Sequence, residues 1–274
     1  MNLKNVLLSL CCCIFVIKAS VAQQIQDTIL IDGSTGVRPL VVALAAAFQK
    51  EYPGIHIVIG EGMSTKKRIV ALKNEEIDIA MASHGLDIPA FTQQGLQVHW
   101  FAQMAILLGV HPSVNIDNIS REQVCNIYSQ GYTNWQQLGG NDLSIKTLSR
   151  PSDEVDMEVL LEHLPCLENI ENREWVELHQ KSGPLAKALQ ETEGAIGMTT
   201  AVRIAQSKGK IKALTYEGVS AKASKVYKGK YPFSRRAYLI TRGTNSPAIK
   251  RFLMFIKSRT GKKVLQQNAA VPSR

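Results

Sequence analysis

TILIDGSTGVRPLVVALAAAFQKEY, residues 28–52, sets out the unit from which the fold is read. Thr28–Asp32 is apolar and β-branched, which predicts a strand. Gly33-Ser34-Thr35-Gly36 is a loop of small, donor-rich residues. Pro39 then opens an apolar helix that stops before Pro53-Gly54. The same succession returns outward along the chain. IHIVIG (55–60) predicts a second strand. STKKRIVALKNEE (64–76) predicts a helix with Ile69, Leu72 and Val70 facing inward, and IDIAMA (77–82) a third strand. Further strands are expected at LQVHWFA, AILLGVHP, LSIKTLS, AIGMT, IKALTYE and RAYLITRG. Ser120 starts a helix with Gln123 in capping-box register. Helices are also expected at 153–164 and from Ser246-Pro247 onward. Strands alternating with helices predict α/β architecture with mostly parallel sheets flanked by helices.

The 274 residues suit one large or two medium domains. The first 22 read as an export signal: Lys4, an apolar run from Val6 to Ile17, then Ser20-Val21-Ala22 as a small-residue cleavage pattern. That run is short for a bilayer span, which takes about 20 residues, and no later segment is longer. A lipid anchor on Cys11, Cys12 or Cys13 is the lesser reading, because no small residue precedes Cys11. Cleavage takes the formal charge from +9 to +7 by removing Lys4 and Lys18. A positive balance favours anionic partners. The richest window, SAKASKVYKGKYPFSRR (220–236), sits in no nucleic-acid module and reads as solvated surface. Cys125 and Cys166 remain after cleavage; an oxidising compartment allows them to pair, and the sequence leaves paired and lone thiols equally open.

Four loops share one composition: Gly33–Gly36, Gly60–Thr65, Ser83-His84-Gly85 and Ser149–Ser152. N–H groups at a helix start are unpaired and carry the positive end of the helix dipole, so an oxyanion fits there. Each loop taken singly is more readily a plain helix cap, since Ser and Thr are the preferred caps. Four in one chain point to a ligand.

These residues carry a resemblance. GSTGVRPL, NEEIDIAMAS, ISREQVCNIYSQGYTNWQQLGG, EGAIGMTT and YPFSRRAYLITRG are similar to landmarks of the phosphate-binding proteins of bacterial ABC importers, within the type II periplasmic solute-binding superfamily. The resemblance covers nearly all of the chain after the signal. It implies a two-lobed fold with sheets joined by crossing strands, closing on a tetrahedral oxyanion, with no catalysis, no cofactor and no metal. Lobe one would hold 23–102 and 233–274, lobe two 103–232, with crossings near Ala102-Gln103 and Tyr231-Pro232. The expected partners are inorganic phosphate or a related oxyanion and a membrane permease; nucleic acid is not expected, and the protein would be a monomer, periplasmic or secreted. Ser34, Thr35, Gly36, Ser64, Thr65, His84, Arg150 and Ser152 are the implied ligand contacts, with Arg150 supplying a charged fork.

One departure stands out. Glu154-Val155-Asp156 lies where the family has Ser-Gly-Thr. A carboxylate about 4 Å from a dianion, at an effective dielectric near 20, repels it by several kcal/mol. His84 also stands where some members carry an Asp that accepts a proton from the ligand, a role that passes here to Glu154 or Asp156. The alternative function is the same fold repurposed as a sensor, an interaction module or a binder of another anion.

An enzyme reading is weaker. Ser64-Thr65-Lys66-Lys67, Ser113-Val114-Asn115 and Lys181-Ser182-Gly183 follow the order of serine β-lactamase triplets, but Ser207–Lys210 repeats the first with no partners. The six histidines show no i, i+4 pair.

Overall fold

The computed structural model describes residues 27–83 and 85–273. The export signal and the ligand role expected of His84 lie outside the described residues.

The first part of the chain runs β1 (Asp27–Gly33), α1 (Arg38–Glu51), β2 (Ile55–Ile59), α2 (Thr65–Lys73), β3 (Ile79–Ser83), α3 (Ile88–Gln93) and the long β4 (Leu96–Val110). The middle holds β5 (Asn118–Ile119), α4 (Arg121–Tyr128), β6 (Lys146–Ser149), α5 (Val155–Leu161), β7 (Val176–Leu178) and α6 (Ser182–Glu191). It continues through β8 (Ala195–Thr200), α7 (Ala201–Gln206), β9 (Lys212–Ala213), β10 (Thr215–Tyr216) and α8 (Ala223–Tyr227). β11 (Ser234–Arg242), α9 (Pro247–Lys257), α10 (Arg259–Gln267) and β12 (Val271–Pro272) complete it. The main sheet orders its strands β2-β1-β3-β11-β4-β8-β6-β7. Parallel pairing occupies the flanks, at β1 with β2 and β3 and at β6 with β7 and β8. The antiparallel pairs gather on β4 and β11. Those two strands change direction in the sheet because they carry the chain between its two halves.

Two larger hydrophobic cores result, beside a smaller cluster that includes Leu72, Ile77, Leu96, Tyr238 and Ile240. The first gathers α1, β1, β3, α9 and α10, where Phe48 meets Phe252 and Phe255 edge-on at 5.1 and 5.4 Å. The second is built almost wholly from 105–233 around fully buried Trp135, whose indole N–H donates to the Gly194 carbonyl at 2.9 Å. β4 pairs with β11 as far as Ala105 and with β8 from Ile106, so one strand serves both cores. The chain returns beside it: the Ile106 N–H donates to the Phe233 carbonyl at 2.9 Å, one residue before β11 begins. The two crossings lie side by side.

Cys125 on α4 and Cys166 are joined as a disulfide with Cα atoms 5.6 Å apart. α2 differs from its sequence reading. Arg68, Ala71 and Leu72 are its buried face, and Val70 is 55% exposed. At about 100° per residue, Val70 cannot share a face with Leu72; the inward position one turn before Leu72 belongs to an arginine.

Candidate functional site

Four strand-to-helix connections, β1–α1, β2–α2, β6–α5 and β7–α6, meet between the cores around a cavity of about 440 Å³. The first follows β1. Its Ser34 N–H donates to the Met81 carbonyl at 2.9 Å, while the Val37 and Arg38 N–H groups turn back onto the Ser34 carbonyl. Asp32 fastens this loop to the next, since its Oδ1 accepts from the N–H groups of Gly33 at 2.6 Å and Gly62 at 2.9 Å. Gly62 sits at φ 110°, and a Cβ there would run into the Thr35 methyl group. Glycine therefore lets the second loop fold over the first. Arg38 strengthens the seam by donating to the Gly60 carbonyl at 2.7 Å and to Glu61 at 2.9 Å. α2 starts beyond this loop with Ser64 as N-cap, and the Ser64 side chain makes no capping hydrogen bond. The first-turn N–H groups of α2 are thus left for another acceptor.

The opposite wall comes from the β6–α5 connection. Arg150, 3% exposed, donates to the Gln180 carbonyl at 3.1 Å and meets Glu154 at 2.5 Å. Its Nη1 lies 3.9 Å from Oδ2 of Asp156. Arg235, at the start of β11, donates through Nη1 to Ser83 Oγ at 2.7 Å. Its Nε is 3.0 Å from Oδ1 of Asp156, an ion contact set off the hydrogen-bond direction. The Arg235 Nη2 presses on Gly36, where any Cβ would collide with it. Gly36 is therefore a close-approach glycine.

Arg68 enters from the first-core side. Its Nη2 donates to Thr65 Oγ1 at 3.2 Å, and burial pulls its pKa down to about 10, with Glu154 opposing, so it stays charged at neutral pH. Behind Thr35, Arg203 donates to the Thr35 carbonyl at 3.3 Å and to Ser182 Oγ at 3.2 Å. Burial lowers Arg203 to about 10 as well, against the pull of Asp156. Among the described residues, Nε of Arg68, Arg150 and Arg235 and Nη2 of Arg235 are buried without a hydrogen-bond partner. A buried polar group left unpaired costs about 1–3 kcal/mol and more when charged, so these donors call for an anion. The site holds hydroxyls, N–H groups and guanidinium forks; what it can do chemically is bind an oxyanion.

Of the residues read from sequence, Ser34, Thr35, Gly36, Ser64, Thr65 and Arg150 all line the cavity. Ser152 is not among its lining residues: its hydroxyl donates to Glu171 at 2.7 Å on the exposed side of the Pro151 turn. Glu154 and Asp156 do face the cavity, but as partners of arginines. Arg68, Lys181 and Arg235 were missed. The basic window read as solvated surface is only partly so. Lys222, Lys225, Lys228 and Lys230 are exposed, whereas Arg235 is 2% exposed. Strand alternation held the signal, because Arg235 and Arg236 must point to opposite faces.

Two cores joined by adjacent crossing strands, with a cation-lined cavity between them, are the build of a solute-binding protein. The chain belongs to the PBP superfamily, whose domain model matches residues 18–260. The phosphate-binding protein PstS of Bacillus subtilis is 26% identical over 242 residues, covering 86% of this chain and 77% of that one. A solved structure from Clostridium perfringens, described as a candidate phosphate ABC transporter substrate-binding protein with bound phosphate, superposes with a TM-score of 0.76 at 25% identity. That match covers 90% of this chain and 100% of the other. A phosphate transport receptor from Vibrio cholerae shares the fold at a TM-score of 0.62 and 23% identity, covering 89% of this chain and 99% of its own.

Proposed function

We propose that the protein captures inorganic phosphate, or a closely related tetrahedral oxyanion, between its two cores and delivers it unchanged to an ABC permease. The observation that supports this reading is that Arg68, Arg150 and Arg235, each with a buried unpartnered guanidinium N–H, line one cavity together with Thr35, Gly36 and Ser64. The relatives are binding proteins rather than enzymes, and all three named above are described as phosphate proteins. Closure is a rotation about the paired crossings, driven by ligand contacts that exist only when both walls reach the anion. Ser34, Thr35, Gly36, Ser64 and Thr65 supply donors from one wall and Arg150 the charged fork from the other. The protein acts outside the cytoplasm, which agrees with a disulfide, and as a monomer, since each chain carries both walls.

Isothermal titration calorimetry on ligand-stripped residues 23–274 tests this, with phosphate and sulfate at acidic and neutral pH. Native protein should bind phosphate at micromolar or lower Kd. Hydrogen bonds to charged groups are worth about 1.5–3 kcal/mol each, so Arg150→Ala should weaken binding roughly tenfold to a hundredfold or more. Thr35→Ala should weaken it less. Absence of heat with both anions would sink phosphate capture.

A further inference from the structure

Asp156 is where the cavity departs from a simple cation cradle. It is 5% exposed, in the first turn of α5, and its carboxylate stands between two guanidiniums: Arg150 from the same wall and Arg235 from β11. The pairing is incomplete on both sides. Oδ1 of Asp156 accepts no hydrogen bond, and Nε and Nη2 of Arg235 donate none. A settled buried ion pair satisfies its remaining lone pairs and protons; here Asp156 on Arg235 and Glu154 on Arg150 match the two positive charges and leave hydrogen bonds unmade. A carboxylate tethered to a helix offers two oxygens at fixed positions. A free tetrahedral oxyanion offers four, and can turn them toward all the waiting N–H groups.

From this, and resting on the oxyanion-capture reading above, we propose that Asp156 is a tethered stand-in anion. It offsets the charge of Arg235, and with Glu154 that of Arg150, while the cavity is empty, and it competes with the ligand for them. It thereby determines specificity: an anion enters only if its charge and acceptors outbid a carboxylate already in place. The competing role for Asp156 is the opposite one, an acceptor for a proton carried by the ligand; the two roles predict opposite signs.

The test is Asp156→Asn, which keeps the shape and removes the charge, with Asp156→Thr beside it in case the amide packs poorly. Phosphate and sulfate are titrated by calorimetry. As a stand-in, Asp156 costs binding, so both anions should bind roughly tenfold or more tightly in the variants, since removing one charge near the ligand is a multi-kilocalorie change. Weaker phosphate binding in the variants overturns the proposal while leaving phosphate capture intact. A native protein that binds neither anion beside variants that bind one keeps the proposal and refutes phosphate capture; no binding anywhere refutes both. Thermal unfolding gives an independent readout. The variants should be less stable than native protein without anion and regain that loss in millimolar phosphate or sulfate. A loss that neither anion restores shows a merely structural pair and also overturns the proposal.

Discussion

Arg68 is buried on the inner face of α2 with its Nε unpaired, so it costs the fold free energy. Replacing it with methionine keeps most of the volume and removes the charge. Arg68→Met should therefore raise the melting temperature of the anion-free protein while weakening phosphate binding at least roughly tenfold, and calorimetry beside a thermal melt reads both. Stability and affinity moving together would show that Arg68 belongs to the fold rather than to the site. His99 argues from the other sign. It is half-buried, its Nε2 lies 3.0 Å from Thr241 Oγ1, and burial followed by Lys257 pulls its pKa below 6.5. The unfolded chain then takes up a proton that the folded one resists, so stability falls as the pH drops below about 6.5. Melts at pH 7.5 and 5.5 should show a smaller acid loss in His99→Gln than in the native chain. At this scale Gly33–Gly36 and Gly60–Thr65 stood out only as members of a set, because each such loop alone reads as a helix cap. The inward arginines were not, since sequence patterns assign arginine to the surface.

Elements whose signals are local were read well. Ser120 accepts from the Gln123 N–H at 3.1 Å and the Gln123 side chain accepts from the Ser120 N–H at 2.8 Å, the capping box that the sequence spells out. Ser120→Ala should cost about 1 kcal/mol, within the range for cap removal, measurable as a shifted urea midpoint at unchanged slope. Other elements were blurred. The C-terminal helix is two helices that share Ser258, which ends α9 and caps α10 by accepting from the Gly261 N–H at 3.1 Å. The helix expected at 153–164 is α5, Val155–Leu161, which follows a turn closed by the Glu154 N–H on the Pro151 carbonyl at 3.1 Å. The two-residue β5 carries too little periodicity to read, and IKALTYE, expected as one strand, is divided into the short β9 and β10 on either side of Leu214. They exist only through their partners, as Thr215 and Tyr216 do beside Asn118 and Ile119.

The architecture of the whole molecule rests on long-range pairings that no window of sequence contains. Nothing near RAYLITRG says that this strand lies between β3 and β4. The alternation of strands and helices was enough for the α/β class, and the family landmarks supplied the two-lobed plan. Whether Cys125 and Cys166 pair was likewise invisible, being a matter of two Cα atoms 41 residues apart in sequence. Closing a loop of that length restrains the unfolded chain by about 4 kcal/mol on the chain-entropy account. Cys125→Ser should lower unfolding free energy by up to that amount, concentrated in the second core, where hydrogen exchange would locate it. The neighbouring crossings at Ala105–Ile106 and Phe233–Ser234 carry a different consequence. The stretch they bracket leaves and re-enters the rest of the protein at almost one point, with its own core and its own disulfide. It has the layout of an inserted cassette: residues 106–233 expressed alone should melt cooperatively, and a short linker in their place should let the remaining chain close on itself.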